Sequence, residues 1–128
     1  MVLQELQAHT MILSIILFLL SAAFEAVMDF LQFRYTKRNQ FWNTKLSWMN
    51  KWDFSTVPRK ERFPLSSTVL VFLTDGWHLM KWCRNRCLDG IMFVLTFELA
   101  GWWLALIITI AIRTLYGFIF EFIFRKIR

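Results

Sequence analysis

The sequence predicts an all-α integral membrane protein with about three transmembrane helices, an interfacial basic loop and a C-terminal amphipathic helix, in one domain. Hydrophobic residues make up 57% of the 128-residue chain, and a soluble domain of this size could not bury that much apolar surface in one core. The basic residues lie between and after the apolar runs, as expected for lipid-headgroup contacts and topology signals. The formal net charge of +6 therefore indicates anionic membrane lipids as partners and not nucleic acid.

The first predicted span covers about residues 10–33, which is long enough to cross a hydrocarbon core of about 30 Å. Its acids, Glu25 and Asp29, lie one helical turn apart and share a face. That face must contact protein or water rather than lipid. We expect the pair to bind basic residues near the interface, which are Arg34, Lys37 or Arg38. Beside it, Ala22 and Ala26 form a small-xxx-small motif that would let a second helix pack closely.

Residues 34–64 form the main basic loop, in which Trp and Phe alternate with Lys and Arg. Indoles between cations are typical of the membrane interface. We therefore predict that the loop lies on the membrane surface and binds anionic lipid headgroups. The side chains suited to hold the phosphate are Asn43, Asn50, Lys51 and Arg62.

The second predicted span, residues 65–82, is at the short end of the spanning range. Asp75 and His78 interrupt it near its far end. Because these positions are i and i+3, their side chains can meet on one helix face.

The third predicted span, residues 90–112, contains one charged side chain, Glu98. Gly101 and Ala105 follow on the same face as a second small-xxx-small motif, which favours close helix packing. Glu98 is therefore expected to point into a helix interface.

Residues 113–128 are predicted to form the amphipathic helix on the membrane surface. One straight helix from residue 90 to 124 would be about 52 Å long, well over the hydrocarbon thickness, so we expect a bend near residues 113–117. A narrow polar stripe would then face the headgroups: Thr114, Gly117, Glu121, Arg125 and Arg128. The alternative is a straight helix that projects into an oligomer.

The distribution of Lys and Arg predicts the orientation. The basic loop holds eight of them, and none precedes the first span. Cytoplasmic loops carry the excess of basic residues. The N-terminus is therefore expected outside and the C-terminus in the cytoplasm.

The candidate catalytic and metal-binding site consists of Asp75, His78 and Glu98. Because successive spans alternate in direction, these three groups are expected in one half of the membrane, and the Glu25/Asp29 pair in the other. Two carboxylates and an imidazole suit Zn, Mn or Fe, and such a metal would activate water against a lipid-linked ester or phosphate. The alternatives are a hydrogen-bonded cluster that fixes helix packing and a proton or ion path.

Several runs of the sequence resemble a group of small integral membrane proteins from Bacteroidetes-type bacteria and their phages. The resemblance covers about residues 41–80 and rests on Phe41-Trp42-Asn43, Ser47-Trp48-Met49-Asn50-Lys51-Trp52, Arg62-Phe63-Pro64-Leu65-Ser66-Ser67-Thr68 and Thr74-Asp75-Gly76-Trp77-His78. It implies a bacterial inner-membrane setting and brings no activity with it.

The leading functional hypothesis is a small homo-oligomeric membrane protein whose Asp/His/Glu site binds a divalent metal and acts on a lipid-linked substrate. Whether the protein is an enzyme stays open at the level of sequence. One alternative is an oligomeric pore or an ion or proton channel, of the phage-lysis or defence type. Another is a non-catalytic assembly subunit that docks through the seam of Gly101 and Ala105.

Overall fold

The structure, a computed structural model, describes residues 2–35 and 39–127. It consists of two long helices, α1 (Val2–Phe33) and α2 (Gly76–Ile127), joined by a compact segment with little strand. Both helices are long and apolar enough to cross a membrane. The all-α class is confirmed, whereas three separate spans are not.

The connecting segment contains short 3-10 helices and a two-stranded sheet. The 3-10 helices are Thr44–Leu46, Met49–Lys51 and Val71–Leu73. Strand β1 (Trp52–Asp53) pairs antiparallel with β2 (Lys60–Glu61), with Trp52 opposite Glu61 and Asp53 opposite Lys60.

The helix expected over residues 65–82 is corrected by the structure, since turns occupy residues 64–70 and α2 begins only at Gly76. In place of helical hydrogen bonds, side chains of the segment form hydrogen bonds with the backbone. Glu61 accepts hydrogen bonds from the Leu65 and Ser67 amides at 2.9 and 3.1 Å. Ser66, which is fully buried, donates to the Lys51 carbonyl at 2.7 Å. These bonds fold the apolar residues before α2 into compact turns.

Helix α2 reverses direction at Gly101, whose φ of 75° and ψ of 169° are not helical. An ion pair shows the reversal, because Arg113 Nε lies 3.6 Å from Asp89 Oδ1. On a straight helix, the rise of about 1.5 Å per residue would separate these residues by about 36 Å. A positive φ suits glycine, and a Cβ at Gly101 would meet nothing within 4 Å.

The reversal therefore lies at Gly101 and not at residues 113–117, where a bend was expected and where the backbone is helical. The tail expected as a separate amphipathic helix continues α2. Of its predicted polar stripe, the side chains of Glu121 and Arg125 and the whole of Arg128 lie outside the described part of the chain.

The chain divides into two compact units, Met1–Phe18 with Cys87–Arg128, and Leu19–Arg86. In the first unit, Ala105 is completely buried, whereas Gly101, its partner in the predicted packing motif, is exposed. Gly90 packs against Leu17, where an added Cβ would lie 3.2 Å from Leu17 Cδ1. The end of α1 and the start of α2, by contrast, belong to the second unit.

The second unit buries several polar side chains: Ser21, Asn50, Ser66, Thr74 and Asp75. Ala22 and Ala26 are exposed, and the face of α1 that is buried instead carries Met28 and Leu31. Among the residues that the structure describes, the predicted close packing at the two alanines is therefore not found.

Glu25 and Asp29 do not act as one pair. Glu25 forms an ion pair with Arg84 of α2, whereas Asp29 lines a cavity that Arg34 also borders. Of the basic residues expected to neutralise them, Lys37 and Arg38 lie outside the described residues.

Candidate functional site

Asp75 immediately precedes α2 and caps its N-terminus. The backbone amide of His78 donates a hydrogen bond of 3.0 Å to Asp75 Oδ1, which satisfies one of the amides that a helix start leaves without a partner. The next residue fixes the position of this cap. Gly76 donates to the Phe41 carbonyl at 2.7 Å, and the Trp42 ring packs so closely that a Cβ at Gly76 would lie 2.1 Å from Trp42 Cε3.

The second carboxylate oxygen of Asp75 holds three side chains. Oδ2 lies 2.8 Å from His78 Nδ1, 2.8 Å from Ser47 Oγ and 3.0 Å from Thr74 Oγ1. Ser47 Oγ is also 3.2 Å from His78 Nδ1. One buried carboxylate thus links the loop around Ser47 to the first turn of α2.

The hydrogen bonds keep Asp75 ionised although the residue is only 1% exposed. Burial by itself raises the pKa of this carboxyl, but the hydrogen bonds from the His78 ring, the His78 amide and Ser47 outweigh it and lower the pKa to about 2. A buried carboxylate with this many donors is stable in its charged form.

The ionised carboxylate determines the form of the His78 ring. With Asp75 and Ser47 both at Nδ1, the neutral imidazole carries its proton on Nδ1 and donates it to Asp75. Nε2 then keeps its lone pair, and within the described part of the chain it has no hydrogen-bond partner. The ring nitrogen free to act on a ligand is therefore Nε2.

His78 lines a cavity of about 350 Å³. The aromatic wall of this cavity is Trp77, whose ring meets His78 edge to face with 5.1 Å between centroids. The Lys81 ammonium lies 4.9 Å from the Trp77 ring centroid. Lys45 brings a cation to the cavity itself, and the remaining lining residues are Gln32, Thr44 and Ser47.

This arrangement differs from a Ser-His-Asp triad. In a triad, the nucleophilic serine contacts the ring nitrogen opposite the aspartate. Here Ser47 contacts the same nitrogen as Asp75 and donates its own proton to the carboxylate. Ser47 thus orients His78, while Nε2 can accept a proton from a molecule in the cavity.

The predicted trio of Asp75, His78 and Glu98 is not assembled as a metal site. Among residues 2–35 and 39–127, no group of three or more His, Cys, Asp or Glu side chains is placed to hold a metal ion. Glu98 belongs to the other compact unit, where it is exposed and borders an apolar cavity with Ser14 and Leu95. Because residues 81–90 are helical, the chain does not turn back where Glu98 was expected to approach His78.

The four residues predicted to hold a headgroup do not all line one cavity. Asn43 caps a 3-10 helix, because its side chain accepts a hydrogen bond from the Lys45 amide. Asn50 is buried, and its carboxamide bonds to Gln40. Asn50 and Arg62 line one cavity that does not include Lys51.

Sequence reasoning did not identify Ser47 and Lys45 as members of the site. Both lie far from His78 in sequence, so no helical periodicity connects them to it. The one sequence signal was that Ser47 and Asn50 belong to the same run among those on which the resemblance rests.

Comparisons with known proteins identified no relative. No family model, no curated protein and no solved structure matches the chain. The functional conclusion therefore depends on the chemistry of the site.

Proposed function

We propose that the protein is a membrane-embedded enzyme in which His78 Nε2 serves as the general base and acid for cleavage of an ester or phosphate bond in a lipid-linked substrate. One observation supports this most strongly. His78 has its Nδ1 side occupied by the ionised Asp75, and its ring lines a cavity that also contains Lys45.

The proposed chemistry is a hydrolysis. Nε2 removes a proton from water as the water oxygen attacks the carbonyl carbon or the phosphorus. The imidazolium that forms is stabilised by Asp75 through Nδ1. It then returns the proton to the oxygen of the leaving group as the old bond breaks. Lys45 is suited to stabilise the negative charge that develops on the reacting group.

The membrane setting supports a lipid-linked substrate. Both helices can cross a bilayer, and much of their apolar surface is exposed, as at Phe18, Leu19 and Phe118. We further propose three crossings: one by α1, and one by each half of α2 on either side of Gly101. As a single rod, the apolar part of α2 would be about 66 Å long, twice the hydrocarbon thickness.

The three-crossing proposal agrees with the charge distribution. No Lys or Arg occurs between Cys87 and Ile112, as expected for a turn on the outer face. The basic loop and the C-terminus would then be cytoplasmic. The bacterial inner membrane is the location that we propose.

The test is a turnover assay of purified protein in lipid nanodiscs. The substrates are lipids that present an acyl ester, a phosphomonoester or a phosphodiester, and the readout is release of the corresponding product. We expect His78→Gln to lower turnover by about 100-fold or more, because positioned acid–base groups contribute about 10²- to 10⁴-fold. His9→Gln is the matched control, since His9 is the other histidine of the chain, lies in α1 and is not among the residues that line the cavity. Full turnover in His78→Gln, or no turnover of any of the three bond types, would contradict the proposal.

A further inference from the structure

A second cavity of about 510 Å³ lies next to the start of α2 in the same compact unit. Its polar lining includes Asn39, Gln40, Asn50, Arg62 and Thr74, and no carboxylate is among the described residues that line it. Phe41, Phe63 and Leu73 supply an apolar part of the wall. The cavity does not include His78, so it is distinct from the one proposed for catalysis.

Arg62 brings a positive charge that no acid among the described residues neutralises. Its backbone amide donates to the Lys51 carbonyl at 3.0 Å, which fixes the residue beside the β1–β2 pair. Its guanidinium has no ion pair or hydrogen bond within the described residues. Five N–H donors in a planar fork are therefore available to a ligand.

The two acids nearest to Arg62 in the sequence, Glu61 and Asp53, are bonded within their own turns. Glu61 accepts hydrogen bonds from the Leu65 amide and from the Ser67 amide and hydroxyl. Asp53 accepts from the amide and hydroxyl of Ser55. The hydrogen bonds from Ser67 and Ser55 lower the pKa of the respective carboxyls, so both acids stay charged and directed into their own turns. Neither therefore shields Arg62.

Two asparagines of the cavity lining are held by hydrogen bonds, and one of them offers a further donor. Asn50, at 1% exposure, accepts from Gln40 Nε2 at 2.7 Å and donates to the Gln40 carbonyl at 3.2 Å. Asn39 Oδ1 accepts from the Phe41 amide at 3.0 Å. With its oxygen engaged, Asn39 has its amide N–H groups left to donate.

From these groups we infer that the cavity of Arg62 and Asn39 binds a phosphate group. The lining offers a guanidinium and an amide donor, and its described residues include no carboxylate. Such a lining favours the binding of a phosphate oxyanion. The phosphate of an anionic lipid headgroup and free inorganic phosphate share this chemistry. The apolar wall, with Leu73 52% exposed, suits the glycerol and first acyl carbons of a lipid. The inference is independent of the proposed reaction, because binding here needs no turnover.

The test is isothermal titration calorimetry of the purified full-length protein. The probes are short-chain phosphatidylglycerol, short-chain phosphatidylcholine and inorganic phosphate. We expect phosphatidylglycerol to bind more tightly than phosphatidylcholine. We expect Arg62→Gln to raise the Kd for phosphatidylglycerol by about tenfold or more, because the variant loses the charge-assisted hydrogen bonds from the guanidinium to the phosphate.

Two further variants make the result specific. Arg59→Gln is the matched control, since Arg59 lies over the Phe54 ring and is not among the residues that line the cavity. This variant should bind phosphatidylglycerol with the Kd of the wild type. Asn39→Asp keeps the oxygen that receives the Phe41 amide but replaces the donor with a negative charge, and it should weaken binding even if Arg62→Gln misfolds.

The outcomes separate the two sources of phosphate. Binding of phosphatidylglycerol that inorganic phosphate displaces assigns the cavity to phosphate as such. Binding that inorganic phosphate does not displace assigns it to the lipid headgroup with its chain. The inference would be overturned if the wild type, Arg62→Gln and Asn39→Asp bound phosphatidylglycerol with equal affinity. It would also be overturned if the wild type bound neither phosphatidylglycerol nor inorganic phosphate. Neither result depends on His78.

Discussion

At the scale of single residues, Asp75 combines a structural and a chemical role. One oxygen caps α2 and the other holds His78 and Ser47. Asparagine could cap α2 without a charge, but it could not hold His78 in the same way, because the proton on Nδ1 would lose its ionised acceptor. Substitutions at Asp75 are therefore expected to affect stability and chemistry by different amounts.

The lowered pKa of Asp75 predicts a loss of stability in acid. The value of about 2 lies below the ordinary value of 3.8. A group whose folded-state pKa is lowered stabilises the fold above its unfolded pKa and loses that contribution as the pH falls through the folded value. The contribution is about 2 kcal/mol, at about 1.4 kcal/mol per pH unit of difference, and it is lost between about pH 4 and pH 2.

Thermal unfolding in detergent, followed by tryptophan fluorescence from neutral to acidic pH, measures this contribution. We expect Asp75→Asn to be less stable near neutral pH and to lack much of the loss between about pH 4 and pH 2. Asp29→Asn, an exposed acid on α1, should behave like the wild type. A wild-type profile for Asp75→Asn would show that the carboxylate does not stabilise the fold.

The sequence could predict Asp75 and His78 but not their partners. The i and i+3 spacing brings the two side chains together at the start of a helix as well as within one. The predicted contact is therefore present, although the helix expected over residues 65–82 is not. Ser47 comes from a different part of the chain, and only the folded connecting segment brings it to Asp75. Glu98 was included because the chain was expected to turn back before residue 90.

At the scale of elements, the connecting segment is an ordered polar structure and not only a surface loop. Its buried side chains, Asn50 and Ser66, each bond to a backbone carbonyl. The apolar run before α2 has no periodicity that distinguishes a helix from tight turns. The side chains of Glu61, Ser66 and Thr74 decide in favour of turns by bonding the backbone.

Helix α2 shows a second limit of sequence patterns. Gly101 fits a small-xxx-small packing motif with Ala105, but only Ala105 is buried and Gly101 is exposed. A motif cannot reveal a positive φ, however, and the reversal depends on it. Asp89 and Arg113 each appear isolated in the sequence, and their pairing becomes visible only when α2 folds back.

At the scale of the whole molecule, large apolar residues are exposed while several small polar residues are buried. This distribution suits a chain surrounded by lipid. Composition and charge placement could predict that character without any tertiary information. The number of crossings could not be read from hydropathy, because α2 appears as one long apolar helix.

The three-crossing proposal predicts that the two ends of the chain lie on opposite sides of the membrane. An odd number of crossings separates the ends, whereas two crossings leave them together. An N-terminal epitope tag should be accessible on intact spheroplasts, and a C-terminal tag only after permeabilisation. Both tags on one face would contradict the reversal at Gly101 as a membrane turn.

The central claim is that His78 presents an unprotonated Nε2 to its cavity. Nitrogen-15 NMR of histidine-labelled His9→Gln protein in nanodiscs, at about pH 8, observes this ring alone, because the chain then contains one histidine. We predict that His78 carries its proton on Nδ1 and none on Nε2. In Asp75→Asn, the preference for this tautomer should be weaker. A protonated Nε2 beside a bare Nδ1 in the wild type would contradict the claim and, with it, the proposed role of His78 as the base.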